Sequence, residues 1–184
     1  MMRGFLVIAV LWAFAVGVPA AARQDDPRLD ALFDQLLAGD DLEAARRVEG
    51  TIWRIWTESG SATIDELMML GIAAMGNGQF DTALESFDAI IEAAPDFAEG
   101  WNKRATLYYL IEEYPASVRD VEATLRLEPR HFGALSGMGL IYTALEDDAR
   151  ALRWFERAFE VNPNMPMIER RIELLREKLK GEAI

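Results

Sequence analysis

One histidine, His131, stands in Pro129-Arg130-His131-Phe132, and the 184 residues contain no cysteine. Together these remove most of the chemistry a chain of this size can carry. A zinc site draws on Cys and His, and a single His does not make a familiar ligand set without several carboxylates around it. A disulfide framework, a thiolate site and a Cys nucleophile are all excluded. Ser136 lies in Leu135-Ser136-Gly137, but its flanks make no nucleophile elbow and no second His exists to serve as its base. Gly133, Gly137 and Gly139 fall within a helical pattern rather than between strand and helix, so they are not a phosphate loop. The 31 Asp and Glu residues are scattered over faces that read as outward, and solvation explains them. His131 reads as an exposed residue in a loop or first helical turn. No catalytic, cofactor-binding or metal-ligating residue is assigned, and no enzyme is expected.

The elements that could position a site begin after a leader. Met1-Met2-Arg3-Gly4 carries one positive charge, Phe5 to Val18 is an apolar run, and Pro19-Ala20-Ala21-Ala22 supplies small residues. This order reads as a secretory signal peptide over 1–22 with cleavage after Ala22, which places the protein in the periplasm or an equivalent exported space. The run is about four residues short of a comfortable bilayer span, so an uncleaved leader would be the one membrane contact. No Cys follows it, which excludes lipoprotein attachment. The net charge of −12 argues against a nucleic-acid footprint, which needs clustered Lys and Arg. Loss of Arg3 with the leader makes it −13.

Beyond Gln24-Asp25-Asp26-Pro27, a polar stretch expected to fray (residues 23–28, a disordered linker), the text is helical almost to its end. Pro95, Pro129 and Pro163 fall at 34-residue intervals, and a fixed period of this size marks stacked supersecondary units. Counting back from them gives units at 64–97, 98–131 and 132–165. Leu67, Leu70, Gly71 and Ala74, then Ala83, Phe87 and Ile90, mark the two helices of the first. Trp101, Ala105 and Tyr108, then Ser117, Val121 and Thr124, mark the second. Leu135, Met138, Gly139 and Tyr142, then Ala151, Phe155 and Ala158, mark the third. Leu29 to Trp56 reads as a degenerate fourth unit (29–61) ahead of these. Ile168, Ile172, Leu175 and Leu179 line one face of a last helix over 166–181, whose charged back suits the cap that a repeat array needs. Trp53, Trp56 and Trp154 are assigned to packing. No run alternates with a period of two, so no sheet is expected.

Small, large and aromatic residues at these offsets resemble the tetratricopeptide-repeat family. The third unit matches its pattern best, while Arg104, Val121 and Thr124 depart from it. The resemblance implies an all-α, right-handed α-solenoid of antiparallel helix pairs with a concave groove lined by the first helix of each pair. Groove positions would be Asp65, Met68, Ile72 and Met75; Glu99, Asn102, Thr106 and Tyr109; Gly133, Ser136, Leu140 and Thr143. From these, Met68, Ile72, Met75, Asn102, Thr106, Tyr109, Ser136 and Leu140 are the candidate protein-binding residues. They do not form the cationic clamp of chaperone-binding relatives. Methionines and a tyrosine make a pliable surface suited to peptides. Gly133 and Gly137 ask for a reason, since each costs a helix about 1 kcal/mol against Ala: close approach of a partner helix or peptide, or of a neighbouring helix. The expected function is a periplasmic, non-catalytic interaction module holding a peptide or helix of an envelope protein. The alternative is a self-assembling or accessory subunit contacting others through its caps or convex face, so homo-oligomers stay open.

Overall fold

The computed structural model describes residues 23–39 and 41–182, and the expected leader lies outside the described residues. They form nine α-helices: α1 (Arg28–Ala38), α2 (Leu42–Thr57), α3 (Ala62–Gly76), α4 (Phe80–Ala93), α5 (Ala98–Leu110), α6 (Tyr114–Leu127), α7 (Phe132–Ala144), α8 (Asp148–Val161) and α9 (Pro166–Glu182). Among the described residues there is no strand, as the sequence pattern led one to expect. No described helix is long and apolar enough to cross a membrane.

Three antiparallel pairs, α3–α4, α5–α6 and α7–α8, stack in order and α9 closes the stack. The turn inside each pair is the same device in three spellings. Its middle residue is left-handed in every case, at Gly78 (φ 72°), Glu112 (φ 63°) and Glu146 (φ 57°). The following amide then reaches back five residues, Gln79 to Ala74, Glu113 to Tyr108 and Asp147 to Tyr142, at 2.8–2.9 Å. This satisfies a carbonyl that the helix end would otherwise leave without a donor.

Inside each pair, bulk is traded across the helix–helix contact. A Cβ added at Gly71 would come within 2.5 Å of the Phe87 ring, and one at Gly139 would run into Phe155. In the second pair Ala105 takes the glycine's place and the facing residue is the smaller Val121, both buried. Ser117 Oγ donates to the Ala105 carbonyl there at 2.7 Å. Arg104, the second departure, bridges repeats: it meets Asp88 of α4 at 2.6 Å and Asp120 of α6 at 2.7 Å. These partners hold its pKa well above the ordinary arginine value, Asp120 contributing most.

The N-terminal pair departs from the expected stack. In a continuous array α2 would lie on α3 as α4 lies on α5, yet α2 packs on α5 instead. Its apolar face joins a cluster of Leu29, Phe33, Leu36, Ala45, Ile52, Ile55 and Trp56 that takes in Phe132 of α7, Val161 and Met165. Arg130 bonds Asp30 at 2.8 Å and lies over the Phe33 ring. Asn164 donates to the Leu36 carbonyl at 2.8 Å. The α1–α2 hairpin is therefore folded across the later repeats, and is not a further repeat at the head of the array. The stretch ahead of it is also more ordered than its polar composition implied. Arg23–Asp25 form a 3-10 turn, and the Gln24 side chain donates to the Asp96 carbonyl.

Candidate protein-binding groove

The groove forms where α5 and α7 run side by side, and α2 determines how much of it is open. Asp41 caps α2 by accepting from the Glu43 amide at 2.9 Å, and its indoles reach the N-terminal ends of α5 and α7. Trp56 stacks on His131 at 4.1 Å with the rings 12° apart. Trp53 meets His131 and Phe132 edge-on, both at 5.4 Å, and Lys103 sits over its ring. A Cβ at Gly133 would come within 2.5 Å of Trp53. That answers one of the two glycine questions: Gly133 admits a helix of this same chain.

His131 corrects the expectation of an exposed residue, because it is fully buried. Its Nδ1 accepts from the Ala134 amide at 3.0 Å and so caps α7. With Nδ1 accepting, Nε2 carries the proton and donates to Glu99 Oε2 at 3.0 Å. Glu99 is also buried and takes Asn102 Nδ2 at 3.0 Å and the Lys103 ammonium at 2.8 Å. Burial works to raise the Glu99 pKa, but the bond from His131 and the charge of Lys103 outweigh it and hold the carboxyl at about 2. One signal of this assembly is present in the sequence: a Glu at the start of α5, 32 residues before the lone His. The indole N–H of Trp56 is buried without an acceptor among the described residues.

The hairpin and the turn that follows it thus use the residues nearest the N-terminal ends of the groove helices. Asp65 accepts from the Ser59 amide and hydroxyl at 3.0 and 2.7 Å, Glu99 is in the buried network, and Gly133 is under Trp53. Of the candidate residues, Met68 is 4% exposed and packs among Ile64, Phe87 and Ile90 in the first pair, so it is a core residue and not a groove residue. Asn102, at 7%, spends its amide on Glu99. Met75 is half-buried against the same first-pair core, while Ile72 is exposed.

The structure brings five candidates together. Asn102, Thr106, Tyr109, Ser136 and Leu140 line one pocket of about 150 Å³, with Gly133, Gly137 and Ile141 completing its α7 side and Ser117 and Val121 its floor. Thr106 and Ser136 turn their hydroxyls back to the Asn102 and Gly133 carbonyls at 2.9 and 3.0 Å, which leaves the wall largely apolar. Nothing lies within 4 Å of a Cβ built at Gly137. Unlike Gly133, this glycine faces open space. Among the described residues no group of three or more His, Asp or Glu is placed to hold a metal ion.

A stack of antiparallel helix pairs with a concave, apolar half-groove is the architecture of a helical-repeat scaffold. The tetratricopeptide repeat model matches residues 68–121 and 111–166. A TPR repeat-containing protein of Rhizobium etli is 38% identical over 161 residues, 88% of this chain and 79% of that protein. The chain belongs to the tetratricopeptide-repeat family. Among solved structures, the Sgt2 TPR domain from Aspergillus fumigatus superposes with a TM-score of 0.62 at 22% identity, over 67% of this chain and 83% of that one. The first TPR of Spaghetti (RPAP3), solved bound to an HSP90 peptide, gives 0.61 at 21% identity over 65% and 95%. At these identities the likeness speaks for the fold. Tetratricopeptide-repeat domains of this kind act as protein- and peptide-binding scaffolds.

Proposed function

We propose that this protein is an exported, non-catalytic scaffold that seats a segment of an envelope protein in the open half of its groove. The observation that carries the reading is Gly137. A glycine in mid-helix costs about 1 kcal/mol against alanine, and no neighbour requires this one to be small. It sits beside a pocket of about 150 Å³, a volume of the order that accommodates a benzene-sized group. An extended or helical segment anchored by one large apolar side chain fits that shape, with Tyr109 and Leu140 as flanking contacts. The buried Glu99 and the covered Gly133 keep the other end of the groove shut, so the guest is short. Export rests on the basic, apolar and small-residue order of residues 1–22, and an envelope partner follows from export.

The test adds bulk without removing any contact. Gly137→Met fills the pocket from a position where the added atoms meet open space, so helicity is retained and thermal stability holds or rises. Partner recovery from envelope extract then falls at least tenfold against the parent protein, and Tyr109→Glu with Leu140→Glu gives the same loss. Undiminished recovery by a folded Gly137→Met protein removes the groove from the account.

A further inference from the structure

The pocket between α5 and α7 meets a guest almost entirely with hydrogen-bond acceptors. Thr106 Oγ1 donates to the Asn102 carbonyl at 2.9 Å, Ser136 Oγ to the Gly133 carbonyl at 3.0 Å and Ser117 Oγ to the Ala105 carbonyl at 2.7 Å. A hydroxyl has one proton, so these three oxygens have only lone pairs left to offer. Tyr109 completes the hydroxyl set with a group that can give or accept.

Asn102 adds an acceptor whose direction is fixed from behind. Glu99 takes the His131 bond and the Lys103 ion pair as an ionised carboxylate, which accepts and does not donate. The Asn102 atom 3.0 Å from it is therefore the amide nitrogen, and Oδ1 points away from Glu99. The side chain is nine-tenths buried, at 7% exposure, and no donor among the described residues meets Oδ1. That oxygen is not sealed in, and Asn102 lines the pocket, so Oδ1 opens there.

This wall selects among guests. A carboxylate would face oxygen lone pairs. A lysine or arginine would leave water for a lining that holds no Asp or Glu, which strands its charge. A leucine or phenylalanine would strip Oδ1 of water and give it no donor. A hydroxyl or carboxamide would bring a further acceptor oxygen against those already present. Among uncharged side chains with a strong donor, the indole alone donates and cannot accept. The volume of about 150 Å³ matches one benzene-sized ring, and the open space beside Gly137 leaves room for a second ring fused to it.

We propose that the anchor of the bound segment is a tryptophan, its indole seated between α5 and α7 with the N–H donated to Asn102 Oδ1. This rests on the reading of the pocket as the seat of a partner segment, and deepens it from an apolar anchor to one chemical group.

Capped pentapeptides Ala-Ala-X-Ala-Ala, titrated into the isotope-labelled full chain and followed by NMR, test this from the guest's side and leave the buried network intact. X is tryptophan, benzothienylalanine (the same bicycle with sulfur in place of N–H), phenylalanine or arginine. The tryptophan peptide should shift the Asn102 side-chain amide and the backbone amides of 133–141. The benzothienyl and phenylalanine peptides should bind at least tenfold more weakly, and the arginine peptide should cause no shift there. Gly137→Met should abolish the tryptophan response. Equal binding of the tryptophan and benzothienyl peptides overturns the indole assignment and leaves an apolar anchor standing. A tryptophan response that survives Gly137→Met, or none at these residues, also overturns the assignment. The seat itself then stands or falls by partner recovery with Gly137→Met.

Discussion

At the residue scale, the most consequential side chain is Glu99. It is a carboxylate with no exposure, and it remains ionised because His131 and Asn102 each donate to its Oε2 and the Lys103 ammonium lies 2.8 Å from its Oε1 as an ion pair. An uncompensated buried charge would destabilise the fold by several kcal/mol, so the network is a condition for α2 to lie where it does. Its pKa of about 2, against 4.5 for a free glutamate, fixes a sign. The folded form holds its proton less tightly than the unfolded chain. The stabilisation is therefore complete above about pH 4.5 and is lost as pH falls towards 2. A difference of this size corresponds to on the order of 3 kcal/mol at most. Urea midpoints for the parent protein and Glu99→Gln should differ most at neutral pH and converge as pH drops through that window. A gap that stays constant from pH 7 to pH 2.5 would mean that the ionised state of Glu99 plays no part. Apart from the spacing of Glu99 and His131, none of this was legible in the sequence, where a lone His two residues after a proline reads as a loop residue. What hid it was distance along the chain, since the indole that stacks on His131 comes from Trp56.

At the scale of the element, the helix pairs show how far a sequence reading can go. Small residues recurring at one offset and large ones at another located every helix of the three repeats, because close packing leaves few ways to join two helices. The departures in the second repeat are also intelligible once paired: Ala105 goes with Val121 as Gly139 goes with Phe155. This makes a double-mutant test. Gly139→Ala alone forces a methyl into the Phe155 ring and should cost about 1–3 kcal/mol, the usual penalty for overpacking. Gly139→Ala with Phe155→Val reproduces the second repeat's combination and should recover part of that loss, giving a coupling of about 1 kcal/mol or more by chemical denaturation. Strict additivity of the two changes would show that the contact does not set the pairing. Periodicity was silent on what each helix packs against. The amphipathic pattern of α2 is as compatible with α3 as with α5 and α7, which is why Leu70 read as core and stands exposed, and why Met68 read as groove and is buried.

For the whole molecule, the question is what the α1–α2 hairpin does by lying where a guest would lie. It shuts the groove at Glu99 and Gly133 and leaves it open at Thr106, Tyr109, Gly137 and Leu140. Its hold on α7 is localised: Trp53 over Gly133, Trp56 on His131, and Arg130 to Asp30. A repeat array derives its stability from neighbour-to-neighbour interfaces, and none of the contacts between α3–α4, α5–α6 and α7–α8 passes through the hairpin. Displacing it should therefore open the groove without melting the stack. Gly133→Leu does this by placing a side chain where Trp53 now lies. The expected result is faster amide exchange across residues 28–57 with protection kept from 64 to 165. A red shift of tryptophan emission should accompany it as Trp53 and Trp56 meet water. Where the hairpin limits how long a bound segment can be, this variant also binds longer peptides more tightly than the parent protein. Uniform loss of protection over all the helices would instead make the hairpin an integral part of one cooperative fold, and the length of the groove a fixed property of the chain.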